Sequence, residues 1–335
     1  MDQISAAWQT RLLAGYKTLI LPLLCYYGSG RRWDYTRQEK RTDLFTDNAR
    51  TLGYRDSLSG AASVGLMMNW FRKVAADADE NGERNEQPGI VAAVCQAMER
   101  VFMLASGYRE AKIRYSPEDY ELICRCRDET GRLVAAPVSL LSDGYRGIVS
   151  LIADMACKMA ILNPQLGENV IRNTHVVVLI DEAELHLHPA AQHIILPALR
   201  EIFPNIQFVA TTNAPAIIGS VKRENLALLS RGQAVEASVQ SFGSDANSIL
   251  RDIMGADERH HAMAKMFRQF YETLAANNHD EAERILDEID MWRYFHDAEA
   301  AGCRVKLRLE RIRTGRNGQN VQGKSGSETA KQSDC

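Results

Sequence analysis

The chain has 335 residues, of which 45% are hydrophobic and 25% are charged. This length accommodates one large α/β core with an appended lobe, or two modest domains. The formal net charge of −3 and the isoelectric point near 6.3 do not indicate a nucleic-acid-binding protein, although a local basic patch is compatible with them. We recognise no signal peptide, no CxxC pair among the seven cysteines and no apolar run of about eighteen residues. We therefore expect a reducing, cytoplasmic setting and no membrane partner.

The first thirty residues contain one predicted helix and one predicted strand. Apolar periodicity indicates a short amphipathic helix over 4–14, and the run over 19–27 indicates a buried strand. Gly28-Ser29-Gly30 then predicts a turn rather than a phosphate loop, because a P-loop requires GxxxxGK[ST] between a strand and a helix. Arg31 or Arg32, directly after this turn, is a candidate phosphate-facing side chain.

Residues 34–138 are predicted to form an α+β insertion or arm. Cys124 and Cys126 would share one face of a strand within it, which is more typical of a core than of a metal site. The predicted elements are helices at 60–76 and 90–104 and strands at 111–115, 120–126 and 133–138.

Residues 140–146 contain the start of a long predicted helix. Ser142 is a predicted N-cap, Asp143 lies in the first turn, and apolar residues from 148 to 159 recur every three or four positions. The amide groups and the dipole at such a helix N-terminus favour a bound anion. A well-capped helix without any ligand explains this segment equally well.

The strongest signal lies between 176 and 189. The five apolar residues 176–180 predict a central parallel strand that is covered on both faces. Asp181 and Glu182 follow at its carboxyl end, where ligands bind in open α/β sheets and where two adjacent acids need a cationic partner. We interpret the pair as a Walker B element, in which Asp181 holds the water shell of Mg²⁺ and Glu182 orients the water that attacks a γ-phosphate. The alternative is that both acids only cap the following helix.

The sequence after residue 189 predicts further strands and helices of an α/β core, followed by a helical C-terminal part. A helix over 189–203 would be kinked by Pro197, and a second buried strand is predicted over 206–211. Thr211-Thr212-Asn213 ends that strand, at the place where a γ-phosphate sensor would lie. The remaining predicted elements are strands near 226–230 and 234–239, which would complete the sheet, and helices at 245–254, about 257–276 and about 280–300.

Three motifs in this order carry a family resemblance: LSDGYRG at 141–147, VVVLIDEAELHLHP at 176–189 and FVATTNAPAII at 208–218. The chain resembles the C-terminal half of an ABC/SMC-type ATPase head. More narrowly, it is similar to the bacterial AAA-type ATP-binding proteins grouped with the overcoming-lysogenization-defect ATPases and with the ATPases of Septu and retron-linked anti-phage systems. YYGSGRRW at 26–33 and SDANSILRDIMG at 244–255 extend the resemblance over most of the chain.

The resemblance implies a role for each motif. Ser142 and Gly144, with Asp143 between them, would form the signature contacts to ATP and would reach a γ-phosphate held by the opposite subunit. Asp181 would bind Mg²⁺, and Glu182 would be the catalytic base. ATP and Mg²⁺ are therefore the implied ligands.

The resemblance also assigns the segments beside the strand ends. Residues 184–189 would be a dimer-interface loop, so His186 and His188 would belong to that loop rather than form a metal pair. Asn213 takes the position of the family's switch histidine and would be the catalytic-site residue there. A neutral amide thus replaces a partly charged donor that could contact the γ-phosphate.

The phosphate-binding loop is the main departure from the family pattern. The family places its Walker A motif before the first predicted strand, and nothing before residue 19 resembles a strand followed by GxxxxGK[ST]. A literal match, GQNVQGKS at 318–325, follows a basic stretch and lies in a polar segment that is expected to be disordered. We interpret it as a chance match, because a working loop needs a leading strand and a following helix.

Together these features predict a partial ABC-type, P-loop NTPase-like α/β head. The predicted function is nucleotide-dependent dimerisation with weak ATP hydrolysis in a defence complex, as a homodimer or larger assembly with a nuclease or other effector as partner. Hydrolysis would require a Walker A motif from a longer chain or from a partner; the alternative is a non-catalytic assembly scaffold. The predicted parts are an N-terminal core strand (1–33), the α+β insertion (34–138), the core with signature, Walker B and switch region (139–245), a helical C-terminal lobe (246–312) and a disordered tail (313–335).

Overall fold

The computed structural model describes residues 18–31, 50–80, 89–127, 130–256, 259–292 and 297–325, with the side chains of 78–80 and 314–325 left out. The chain divides into two compact units, Met1–Ile249 and Leu250–Cys335. The helix predicted over 4–14 and the side chain of Arg32 lie outside the described residues.

Eight strands and eleven α-helices lie within the described part of the chain. The strands are β1 (Leu23–Tyr27), β2 (Ala111–Ser116), β3 (Glu121–Arg127), β4 (Leu133–Pro137), β5 (Val176–Ile180), β6 (Ile206–Ala210), β7 (Ala227–Ser230) and β8 (Gln233–Glu236). The α-helices are α1 (Val64–Glu80), α2 (Gly89–Ser106), α3 (Asp143–Leu162), α4 (Val170–Asn173), α5 (Pro189–Gln192), α6 (Ile195–Ile202), α7 (Pro215–Ile218), α8 (Ala246–Ser248), α9 (His261–Ala275), α10 (His279–Met291) and α11 (Ala298–Ser325). Shorter turns of 3-10 helix lie at Arg50–Tyr54, Val138–Leu140, Pro164–Asn169 and Arg223–Asn225, and a π-helical turn lies at Ile249–Ile253.

A parallel sheet ordered β1-β5-β6 forms the centre of the first unit, with Val178 of β5 paired to Cys25 on one side and to Phe208 on the other. The apolar, β-branched run of β5 therefore takes the central position that the sequence predicts. The expectation that both faces are covered holds on one face only. Val178 is fully buried, whereas Leu24 and Val209 on the opposite face are 43% and 50% exposed.

The core of the first unit is continuous through the region predicted as an insertion. Helix α3 is buried from residue 148 onward, and Phe71 of α1, Met98 of α2 and Ile113 of β2 belong to the same hydrophobic cluster as the parallel sheet. The described residues of 50–138 therefore pack into the core and do not stand apart as an arm. Strands β2, β3 and β4 form an antiparallel sheet, close to the predicted boundaries.

Two predictions downstream of β5 are wrong. The single helix over 189–203 is instead α5 and α6, and Pro197 lies in the first turn of α6, where the missing N–H costs no helical hydrogen bond. Strands β7 and β8 do not extend the parallel sheet. They pair with each other through a two-residue turn in which Arg231 and Gly232 both have positive φ, the geometry of a tight hairpin.

The second unit is helical, as its periodicity indicates. Phe267 and Phe270 of α9, Leu286 of α10 and Cys303 of α11 form its core. Helix α11 continues to Ser325, so the described backbone of residues 313–325 is helical where we expected disorder. Arginine, glutamine and lysine, which are good helix formers, account for this extension despite three glycines.

Among the described residues, α2 has the length and apolarity of a membrane span. Its Val94 and Met98 are fully buried in the hydrophobic cluster of the first unit, which is the environment of a core helix.

Candidate functional site

The acids that follow β5 meet a threonine that follows β6. The hydroxyl of Thr211 donates a hydrogen bond to Asp181 Oδ1 and accepts one from the main-chain N–H of Glu182 at 2.9 Å. The main chain of Thr211 also receives the N–H of Ala183 at 2.9 Å and donates to Ile180 O at 2.9 Å. The ends of two neighbouring parallel strands therefore hold Asp181 and Glu182 in one place, as the order of the motifs predicts.

The chain turns sharply immediately after Asp181. Glu182 has φ 50° and His186 has φ 62°, both in the left-handed region that side chains with a Cβ rarely occupy. Hydrogen bonds from Leu185 N to Glu182 O at 2.9 Å and from Leu187 N to Glu184 O at 2.8 Å close the turn. Backbone strain of this kind needs contacts that hold it in place.

Arg31 lies beneath this turn. Its Nη1 donates to the carbonyl oxygens of Asp181 and Gly28, the latter at 3.1 Å, and its Nη2 donates to Glu182 O at 2.7 Å. Burial lowers the pKa of Arg31, and the nearby carboxylates of Glu182, Asp181 and Glu184 oppose that change. Arg31 therefore binds the main chain of this protein, and its proposed role as a phosphate-facing side chain is corrected.

Glu184 connects the turn after β5 to the segment after β6. Its Oε2 accepts a hydrogen bond from the hydroxyl of Thr212 at 2.6 Å, and its Oε1 accepts one from the main-chain N–H of Asn213 at 2.8 Å. These contacts leave the side chain of Asn213 exposed beside the acids. The sequence placed Glu184 only in an interface loop, because nothing in a local pattern pairs it with residues about thirty positions away.

The predicted signature residues begin helix α3. Ser142 occupies the N-cap position with φ −57° and ψ 153°, but its side chain makes no capping hydrogen bond and is exposed. Ser142 therefore takes the predicted N-cap position, but its hydroxyl does not cap the helix. Asp143 is held by the guanidinium of Arg146, which also donates to Ser139 O at 3.0 Å.

Gly144 brings the start of α3 against the loop that follows Asp181 and Glu182. A Cβ atom built on Gly144 would lie 2.5 Å from His186 O and 3.8 Å from the Cα of Leu187. No side chain fits at that distance, so the close main-chain approach requires glycine. Through this contact the start of α3 lies against the loop that follows Asp181 and Glu182.

The oxygen atoms at the strand ends suit a magnesium ion. The carboxylate of Asp181 and the hydroxyl of Thr211 are the hard ligands that Mg²⁺ prefers, and the ion keeps several waters and takes phosphate oxygens as its other ligands. The described residues contain no cluster of three or more His, Cys, Asp or Glu side chains that could hold a metal ion. A magnesium site completed by water and phosphate oxygens does not need such a cluster. His188 instead accepts a hydrogen bond from Ala190 N at 3.3 Å and caps α5.

Parts of the chain are similar in sequence to named bacterial proteins. The retron Ec83 probable ATPase of Escherichia coli is 37% identical over 126 residues, which cover 38% of this chain and 23% of that protein. The retron Vc95 probable ATPase of Vibrio cholerae serotype O1 biovar El Tor is 26% identical over 275 residues, covering 70% of this chain and 53% of that protein. The Septu protein PtuA of Bacillus thuringiensis is 24% identical over 160 residues, covering 45% and 40%. The chain thus spans from 23% to 53% of the length of these relatives.

No family model matches the chain. A solved chain from work on ATP-driven dimerization and DNA-stimulated activation of SMC ATPases has 16% sequence identity and a TM-score of 0.32, over 49% of this chain and 92% of that one. The named relatives confirm the predicted resemblance to ATPases of retron and Septu systems. The mixed α/β class is confirmed by the parallel sheet and the helices packed on it.

Proposed function

We propose that this chain is the signature, Walker B and switch portion of an ABC-type ATPase that binds and hydrolyses ATP in a bacterial defence complex. The observation that carries the proposal is the joining of Asp181, Glu182 and Thr211 at adjacent strand ends, with Gly144 packed against the next loop. The names of the relatives, two retron proteins each called a probable ATPase and a Septu protein, support the same activity and setting.

The roles of the acids follow from their positions. A Mg²⁺ ion held by Asp181 would supply positive charge to the phosphate oxygens as the γ-phosphate is transferred. Glu182 accepts the proton of the attacking water, and Thr211 fixes the Asp181 carboxylate and the Glu182 amide on which that geometry depends. Asn213 lies beside them, exposed and held by Glu184 through its main chain, as a neutral donor toward the γ-phosphate.

In this proposal the start of α3 contacts the nucleotide bound by a second copy of the chain. This helix has 20 residues, and its first amide groups and dipole favour an anion. Because the Ser142 hydroxyl does not cap its own helix, it is available to a γ-phosphate bound on the opposite subunit. Dimerisation would then depend on nucleotide, with Asp143 and Gly144 completing the contact.

The phosphate-binding loop, in this proposal, is supplied by polypeptide outside residues 19–312. Such a loop provides the lysine and the amide groups that hold the β- and γ-phosphates. Two features of the described sheet support this: β6 pairs with β5 alone, so one of its edges is open, and Leu24 and Val209 leave an apolar face exposed. In this proposal residues 318–325 do not provide the loop, because in the described part of the chain they lie inside helix α11 and no strand leads into them. A nuclease or other effector partner and a cytoplasmic location belong to the same proposal.

Calorimetric titration with ATP and Mg²⁺ tests the proposal. The chain alone should bind ATP weakly, and a fusion that places a strand and a GxxxxGK[ST] loop before residue 19 should bind with micromolar affinity. The same fusion with the loop lysine replaced by alanine is the matched control and should bind weakly again. If the fusion does not bind ATP, the non-catalytic scaffold is favoured. If the chain alone binds tightly and loses this on deletion of 315–335, the tail is the loop and the assignment above is wrong.

A further inference from the structure

Arg31 has no part in the mechanism described above, although it donates hydrogen bonds to the Walker B turn, the turn at 181–187 that carries the proposed catalytic acid. Its guanidinium reaches three main-chain carbonyl oxygens, two in the Walker B turn and one in the turn after β1. Arginine presents several donors in a rigid plane, so a single side chain can bridge carbonyls on two segments, and lysine cannot reproduce this.

The Walker B turn needs such a clamp. Glu182 has φ 50°, a conformation that an L residue with a Cβ adopts only when its surroundings impose it. Its N–H is fixed by the Thr211 hydroxyl and its carbonyl by Arg31 Nη2 at 2.7 Å, so both peptide groups that flank its φ and ψ angles are held. The preceding carbonyl, of Asp181, is also bound by Arg31.

We propose that Arg31 is a positioning residue, which holds the main chain of Asp181 and Glu182 so that Glu182 keeps its left-handed conformation and presents its carboxylate at the sheet edge. The catalytic consequence rests on the proposed function. The structural consequence does not, because it concerns contacts within the chain itself.

A matched control exists in the same unit. Arg50 also bridges main-chain carbonyls, donating to Leu162 O and Leu19 O, both at 2.5 Å, and it additionally donates to Asn163 Oδ1 at 3.0 Å. It is half-buried like Arg31, but its partners are the end of α3 and the segment before β1. A comparison of Arg50 and Arg31 variants therefore separates the general effect of losing a bridging arginine from the specific effect of losing the contacts to Glu182.

Hydrogen exchange on the intact chain is the first test. In Arg31→Gln the amides of 181–185 should exchange at least about tenfold faster, a loss of local stability of the size expected for a broken charged hydrogen bond. In Arg50→Gln the acceleration should appear at 159–164 and leave 181–185 unchanged. Arg31→Lys should lie between wild type and Arg31→Gln, and it carries the comparison if the glutamine variant does not fold. Wild-type exchange at 181–185 in both Arg31 variants would overturn the proposal.

Thermal melting of paired variants is the second test. Glu182→Gly relieves a left-handed residue whereas Glu182→Gln keeps the Cβ, and both remove the charge. The glycine variant should melt about 2–4 °C higher than the glutamine variant when Arg31 and Arg50 are intact. The difference should shrink by half or more in the Arg31→Gln or Arg31→Lys background and persist in Arg50→Gln. An equal difference in every background would show that Arg31 does not impose the conformation.

Turnover in the ATP-binding fusion separates the two proposals. Arg31→Lys should lower kcat by about tenfold or more while KM changes less than about twofold, because ATP contacts are kept and only the base is displaced. If the fusion has no ATPase activity, the proposed function fails while exchange and melting still decide the role of Arg31. If the fusion is active and kcat is unchanged, Arg31 is not a positioning residue for the reaction.

Discussion

A Cβ atom at Gly144 would lie 2.5 Å from the carbonyl oxygen of His186, so the start of α3 touches the loop after β5 through main-chain atoms. Both partners are backbone, and neither can move without shifting an element. We therefore expect Gly144→Ala to lower the free energy of unfolding by about 1–3 kcal/mol. Urea denaturation of the chain measures this change.

Gly147 is the control for that substitution. It lies in the same helix, and a Cβ built there meets no atom within 4 Å. Alanine has the better helix propensity, so Gly147→Ala should be neutral or stabilising by up to about 1 kcal/mol. Equal losses in the two variants would mean that the approach to His186 does not determine the effect.

The hydroxyl of Thr211 satisfies two groups of the site at once. Thr211→Val keeps the shape but leaves Asp181 Oδ1 without its donor and the Glu182 N–H without its acceptor. Both groups lie near solvent, so we expect a modest loss of about 1–2 kcal/mol in the free energy of unfolding. Thr211→Ser retains the hydroxyl and should lose less than half as much by the same urea titration. A valine variant as stable as wild type would show that water replaces the hydroxyl without cost.

Local patterns predict the elements that define the site. The apolar, β-branched run 176–180 forms the central strand, and helices over 90–104 and from 143 onward appear within a few residues of their expected limits. In each case the periodicity of the segment itself carries the information. The sequence also predicted that Asp181 and Thr211 lie close together, because each follows a parallel strand and the carboxyl ends of parallel strands share one edge of a sheet.

Contacts between segments that are distant in the sequence could not be predicted from such local patterns. Arg31 and Asp181 lie 150 residues apart, and the sequence offers no local reason to pair a guanidinium with that carbonyl. Glu184 was missed for the same reason. The positive φ of Glu182 is likewise set by its neighbours rather than by its own residue type, which disfavours it.

Alkaline pH should destabilise the first unit through Cys25. Burial raises the pKa of the Cys25 thiol from its ordinary value of 9.0 to about 12, so the folded chain keeps a proton that the unfolded chain releases. The stability is therefore complete below pH 9 and declines as pH rises toward 12. Burial also raises the pKa of Tyr27, which adds to the decline above its ordinary value of 10.0.

Melting curves between pH 7 and 11 test this expectation with Cys25→Ala. The variant loses packing at every pH. Above pH 9, however, its free energy of unfolding should decrease less steeply than that of the wild type, by up to about 1.4 kcal/mol per pH unit, which is the contribution of one proton. Parallel curves for wild type and variant over the whole range would contradict the assignment to Cys25.

The exposed apolar face of the parallel sheet should cause self-association of the isolated chain. Val209 is 50% exposed on this face, and a charge there is costly to bury in a contact between copies. Val209→Lys should therefore lower the mass measured by light scattering at a given concentration. Gln207→Lys adds the same charge on the same face of β6 at a position that is already polar and exposed, and it should change the mass less. A monodisperse monomer in the wild type would contradict the prediction.

Glu182→Gln separates catalysis from binding in the ATP-binding fusion. The amide keeps the size of the side chain but cannot accept the proton of the attacking water, so turnover should fall by about 10²-fold or more while ATP still binds. Unhydrolysed ATP should then hold two heads together through Ser142 and Gly144, which sedimentation would detect as a stable dimer. Asp181→Asn should instead weaken binding of Mg²⁺-ATP, and Ser142→Arg should block dimerisation with nucleotide affinity nearly unchanged. Equal turnover in wild type and Glu182→Gln would remove the catalytic role of Glu182 and leave the scaffold as the better account of the fold.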